Sequence, residues 1–192
     1  MKRRLRLRGP WLVPALCALL LNATFATVAT TGQAADPLRE FDRRLQTYLD
    51  FRRMLAETLK PLAPTADAAE LASRQAALAA ALQAARSTAK PGDLIPAPVA
   101  ALIQRIVVED FARRTAADER ATFSEVPNAP RPVINKSYPV NAALPTVPPL
   151  LLSRLPRLPD NLQYRFYGRH VVLLDGDLQI IVDYIPNVLP PH

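Results

Sequence analysis

Gln163-Tyr164-Arg165-Phe166-Tyr167-Gly168-Arg169-His170-Val171-Val172-Leu173-Leu174-Asp175-Gly176-Asp177-Leu178-Gln179-Ile180-Ile181-Val182-Asp183-Tyr184 contains three β-rich runs parted by two turn signals. Gly168-Arg169-His170 separates the first two runs and Asp175-Gly176-Asp177 the second two. Asp-Gly between apolar runs is a strong hairpin signal. In the third run Leu178, Ile180, Val182 and Tyr184 alternate with Gln179, Ile181 and Asp183, which predicts that the first set shares a buried face. A meander of three short strands is marginal by itself, so it needs a layer to pack on.

The chain before the meander supplies that layer. Asp36-Pro37 reads as a helix start, an Asp cap followed by Pro at the first helical position. Leu38, Phe41, Leu45, Tyr48, Leu55 and Leu59 then recur at helical spacing up to Pro61, and Phe51 and Met54 widen the stripe. A second helix is predicted from Asp67, with Glu70 completing a capping box and Leu71, Leu78, Leu82 and Ala85 on one face. A third is predicted from Pro96 or Pro98 to Arg120, its apolar face formed by Val99, Leu102, Ile103, Ile106, Val107 and Phe111. Nine prolines fall in the 33 residues from Pro127 to Pro159, which excludes regular helix and central strand there. This stretch reads as an extended arm laid along the helices by Ile134, Val140, Leu144, Leu150, Leu151 and Leu152, with a short helical turn at about Pro149–Leu155. The expected architecture is therefore α+β: a helical region over 35–125 forming a three-helix hairpin or bundle, a proline-rich arm over 126–161, and a C-terminal three-stranded antiparallel meander over 162–192.

Charge carries a second message. The chain of 192 residues has 24 Lys+Arg against 17 Asp+Glu, a net charge of +7. Residues 1–34 hold Lys2, Arg3, Arg4, Arg6 and Arg8 and no acid, followed by an apolar run from Trp11 to Leu21 and a softer stretch ending in Gly32-Gln33-Ala34. A basic start, a short apolar run and a small-x-small site are the grammar of a secretory signal peptide, so export to the periplasm or medium is expected, with cleavage after Ala34 or earlier, after Ala26 or Ala29. A membrane anchor would need a longer undiluted apolar run. Leu16 before the lone Cys17 argues against a lipidated cysteine. Without this leader 19 bases face 17 acids, and no thiol is left for a disulfide. Arg43-Arg44, Arg52-Arg53 and Arg113-Arg114 are interleaved with Glu40, Asp50 and Asp110 at helical spacing, the pattern of a solvated face. Nucleic acid is therefore not an expected partner, and no membrane contact is expected once the leader is removed.

Few residues announce chemistry. Beyond the leader only Gly92, Gly168 and Gly176 remain, too few for a phosphate-cradling or dinucleotide loop, and no cofactor is expected. His170, Asp175, Asp177 and Asp183 could converge on a divalent cation, although Asp beside a turn glycine is favoured for backbone reasons alone. A hydrolase would have to build a cryptic site near His170, since His192 ends the chain. Tyr164, Phe166, Arg169 and His170 are candidates for a partner-recognition surface, against the alternative that alternate members fill the sheet–helix interface.

Phe41 to Arg53 (FDRRLQTYLDFRR), Gly92-Asp93-Leu94-Ile95 and the closing stretch from Leu158-Pro159 through Leu174-Asp175 to Tyr184-Ile185 resemble a family of uncharacterised secreted bacterial proteins. That resemblance implies export and brings neither an activity nor site residues. The closing stretch is also distantly similar to the terminal hairpin of small periplasmic proteins linked to nickel and cobalt homeostasis. The similarity rests on Leu-Pro, Tyr, a turn, Leu-x-Asp and Ile-Val-Asp, and implies a metal-homeostasis accessory role. The expectation of first rank is an exported, non-enzymatic binding or envelope-associated protein.

Overall fold

The computed structural model describes residues 36–61, 67–125, 131–138 and 147–189. The predicted leader over 1–34, with Cys17, lies outside the described residues, as do Val140, Leu144 and His192.

Helix α1 (Pro37–Thr58) begins where the cap predicts: Asp36 Oδ1 accepts the Leu38 N–H at 3.0 Å. Phe41, Leu45 and Tyr48 of its stripe are buried, whereas Leu38 and Met54 stay exposed. Helix α2 (Ala68–Ala85) is capped by Asp67, whose Oδ1 accepts the Ala69 N–H at 2.8 Å. Its stripe meets the core only in its second half: Leu82 is buried, Leu78 packs at the core's edge and Leu71 is exposed. Helix α3 (Ala97–Phe111) buries Val99, Ile103, Val107 and Phe111. It does not run on to Arg120. Thr115 and Asp118 cap each other instead, the Thr115 hydroxyl donating to Asp118 Oδ2 at 2.7 Å while the Asp118 N–H donates to Thr115 Oγ1 at 3.2 Å. This reciprocal cap starts a separate helix α4 (Ala116–Glu125). The proline-rich arm contains the short helix α5 (Pro149–Leu152).

Strands β1 (Leu162–Tyr167), β2 (His170–Asp175) and β3 (Ile180–Ile185) form an antiparallel sheet in the order β1-β2-β3. Among the described residues the architecture is α+β, five helices and this one sheet. Gly168, at φ +54°, turns β1 tightly into β2. The second hairpin differs from the two-residue turn that Asp-Gly favours. Asp175 pairs with Ile180, and the left-handed residue of the loop is Gln179, at φ 53°. Gly176 matters through space: its N–H donates to the Asn161 carbonyl at 2.8 Å, and a Cβ would meet the Gln163 amide at 2.7 Å.

The sheet is buried on both faces. Val171, Leu173, Ile180, Val182 and Ile185 face the helices, while Val172, Leu174, Ile181 and Tyr184 form a second cluster on the far side. Strict alternation along β3 would put Asp183 on the far face with Ile181, and Tyr184 with Val182. A bulge overturns that expectation: Leu173 pairs with Asp183 but Leu174 with Ile181, so Val182 is the extra residue. Asp183 is thereby turned towards the helices and Tyr184 away from them.

The arm also departs from expectation. Residues 131–138 run along the edge of β3, with Ile134 and Tyr138 packing on the sheet's far face and Asn135 bonded to Arg86 at the end of α2. Their backbone pairs with β3, through Asn135 N–H to Ile181 O (2.8 Å), Ile181 N–H to Lys136 O (3.0 Å) and Tyr138 N–H to Gln179 O (2.7 Å). Tyr138 is fully buried there and donates its hydroxyl to the Phe166 carbonyl at 3.0 Å. Burying such a ring contributes on the order of 2 kcal/mol. The later part of the arm joins the helices through Val147, Leu151 and Leu155, while Leu150 and Leu152 are exposed.

Candidate functional site

The four residues weighed as an alternative metal site, His170, Asp175, Asp177 and Asp183, are used elsewhere. Asp175 is fully buried, accepts the Tyr48 hydroxyl at 2.7 Å and has Arg52 Nε 3.1 Å from the same oxygen. That nitrogen forms an ion pair without hydrogen-bond alignment. Its other oxygen accepts the Leu178 N–H at 3.1 Å, closing the loop. Arg52 Nη2 reaches Asp177 Oδ2 at 2.7 Å, where Asn161 Nδ2 also donates at 2.9 Å. The guanidinium thus supplies the positive charge that a cation would. Burial, reinforced by the Asp175 charge, pushes the Tyr48 phenol pKa well up. The bonds from Asn161 and Arg52 hold Asp177 below the ordinary aspartate range.

Asp183 has a different socket. Its Oδ1 accepts from the N–H of Gly92 (2.9 Å) and Tyr184 (2.7 Å), and its Oδ2 from those of Leu94 and Ile95 (both 2.8 Å). The breaker Lys90-Pro91-Gly92-Asp93 therefore folds into an amide cradle around a β3 carboxylate, with Gly92 at φ +92°. Burial pushes the Asp183 pKa up, and the four amides pull against it. Arg44 holds the same loop from α1, donating to the carbonyls of Gly92 (3.0 Å) and Asp93 (3.1 Å).

His170 lies on neither acid. Its Nδ1 accepts the Asn187 N–H at 3.2 Å and its ring meets Tyr184 edge-on at 5.9 Å. Among the described residues no group of three or more His, Cys, Asp or Glu side chains is placed to hold a metal. Nor is there, among them, a hydrogen bond from His170 to a serine or carboxylate that would make a nucleophile–base pair. Burial, with the charges of Arg131 and Arg169, depresses its pKa below the ordinary value of 6.5. The unfolded chain then binds this proton more tightly than the folded one, so stability rises with pH up to that ordinary value and is lost as pH falls through it. The melting temperature should accordingly fall between about pH 7 and about pH 5, and His170→Gln should flatten that slope. Parallel curves for the two proteins would show that His170 is not responsible.

Of the two readings of Tyr164, Phe166, Arg169 and His170, the filled sheet–helix interface fits the structure better than a recognition surface. Tyr164 and Phe166 face the helices, Phe166 packing edge-on against Phe111 at 6.5 Å. Arg169 is occupied by the chain's end, its Nε and Nη2 donating to the Leu189 carbonyl at 3.0 and 2.9 Å. The arginine pairs otherwise follow the sequence pattern. Glu40 binds Arg43 and Arg44, Asp50 binds Arg53 and Asp110 binds Arg114, each at 2.7–2.8 Å. Arg113 has no such ion pair among the described residues, and Arg52 is drawn across to the meander.

A cavity of about 570 Å³ opens where β1, the sheet's outer strand, faces the chain from Val147 to Asp160. β1 contributes Leu162 and Tyr164 from its inner face and Gln163 and Arg165 from its outer one, so the cavity wraps the strand's edge. Val147, Leu155 and Leu162 form an apolar floor, and Leu152, Leu158 and Arg157 line the mouth. Arg157 is exposed and makes no ion pair among the described residues, while Arg165 Nη2 is held by Gln163 Oε1 at 2.7 Å. The Tyr164 hydroxyl is enclosed behind this wall without a hydrogen-bond partner. Sequence reading missed this site because it is shared between the arm and an edge strand. Its one local sign was the density of leucines around Pro156 and Pro159. Compared with protein-family models, curated proteins and solved structures, the chain gives no match.

Proposed function

We propose that this chain is an exported, non-enzymatic binding protein whose ligand occupies the cavity between β1 and the Val147–Asp160 segment. The cavity carries the reading: about 570 Å³ is the size that encloses a small organic molecule, and an apolar floor with a few polar groups at the mouth is the usual composition of such a site. The buried titratable groups favour the non-enzymatic side. Asp175 and Asp183 are fully engaged by Tyr48, Arg52 and backbone amides, and neither faces this cavity. The leader-like residues 1–34 support export. Native mass spectrometry of the protein isolated from cells should show a small-molecule adduct on the wild type that is lost in Leu158→Trp, which fills the mouth. Bare protein in both samples would remove the reading.

A further inference from the structure

We infer that the occupant is an amphiphile with an anionic head, an aliphatic chain lying on Val147, Leu155 and Leu162 with its charge at Arg157. This rests on the cavity being a ligand site. The floor side chains Val147, Leu155 and Leu162 are all aliphatic, which suits a hydrocarbon chain better than a sugar or a peptide backbone, whose polar groups need partners when buried. Arg157 is exposed and unpaired among the described residues, and Asp160 is the one acid among the described residues that line the cavity. Leu152 at the mouth is 46% exposed, so the apolar lining continues to the surface. An added peptide strand fits less well, because the chain itself occupies the start of the β1 edge through Leu162 N–H to Pro159 O at 2.9 Å.

The probes are octanoate, decanoate and dodecanoate, with dodecanol and dodecyltrimethylammonium as neutral and cationic controls, all below their micellar concentrations. Affinity for the acids should rise roughly tenfold for each pair of methylenes buried. Arg157→Glu, an exposed substitution that leaves the fold intact, should weaken dodecanoate about tenfold and leave dodecanol unchanged. Lysophosphatidylglycerol with the same chain separates the sources: tighter binding than dodecanoate assigns a lipid headgroup, weaker binding a free acid, and either supports the inference. Equal binding of all three heads, unaffected by Arg157→Glu, overturns the anionic head while the cavity remains a ligand site. An adduct seen by mass spectrometry with no binding of any of the amphiphiles overturns the inference alone. Absence of both removes the site with it.

Discussion

Asp183→Asn is expected to unfold the protein or to lower its melting temperature by about 10 °C or more. The substitution is nearly isosteric, so packing is not the cause. Each carboxylate oxygen accepts two backbone N–H groups, from Gly92 and Tyr184 on one side and from Leu94 and Ile95 on the other. An asparagine has one acceptor oxygen, and either orientation points its NH₂ at two amides. Buried donors left without acceptors cost roughly 1–3 kcal/mol each, and a domain's whole stability is about 5–15 kcal/mol. Urea denaturation should show the midpoint falling with an unchanged slope. A loss under about 1 kcal/mol would mean that the cradle is incidental. The pH behaviour has the opposite sign to that of His170. Asp183's pKa is raised by burial, so the folded chain holds this proton more tightly than the unfolded one. Its ionisation therefore weakens the fold as pH rises through the window just above 3.8.

Arg52→Met is expected to cost about 3–5 kcal/mol, because it strips the facing cation from a carboxylate that has no access to water. Asp175 is 0% exposed and Arg52 is the side chain that pairs with it, at 3.1 Å. Asp177, by contrast, is an exposed partner, so its share of the loss is small. The sharper result is the double variant. Adding Asp175→Asn to Arg52→Met removes the stranded charge, and an amide with its oxygen on the Leu178 N–H can donate its NH₂ to the Tyr48 hydroxyl oxygen, so the double variant should be more stable than Arg52→Met alone. Thermal and urea unfolding of the two proteins decide it. Further loss in the double variant would show that the buried charge is not what the guanidinium compensates.

Both predictions concern acids that sequence reading weighed for metal binding, and the reason for the misplacement is specific. Asp175 and Asp177 flank a turn glycine and Asp183 interrupts an apolar strand. Each looked available because its partner is far away in the chain. Tyr48 is 127 residues from Asp175, and Leu94 is 89 from Asp183. One signal was present: an aspartate inside Ile180-Ile181-Val182-Asp183-Tyr184-Ile185 must be buried with donors if the strand is buried at all. Likewise Lys90-Pro91-Gly92-Asp93 read correctly as a break, but a break does not reveal that its amides point at a carboxylate. The Thr115–Asp118 cap that splits the third helix was in view locally and was outweighed by the long apolar period from Val99 to Phe111.

What the sequence by itself determined is local. Asp36-Pro37 and Asp67 set the helix starts, the Phe41–Leu45–Tyr48 stripe set which side of α1 is buried, and the glycine turns marked where three strands reverse. These depend on contacts within a few residues, where periodicity and capping chemistry decide. The tertiary structure alone decided that Val182 bulges, that Tyr138 covers the far face, that Arg52 leaves the solvated pattern for the meander, and that an apolar cavity forms beside β1. Each of these pairs segments far apart in the chain. Such pairings are chosen by how the two sheet faces and the buried charges can all be satisfied together, a condition that no short window of sequence contains.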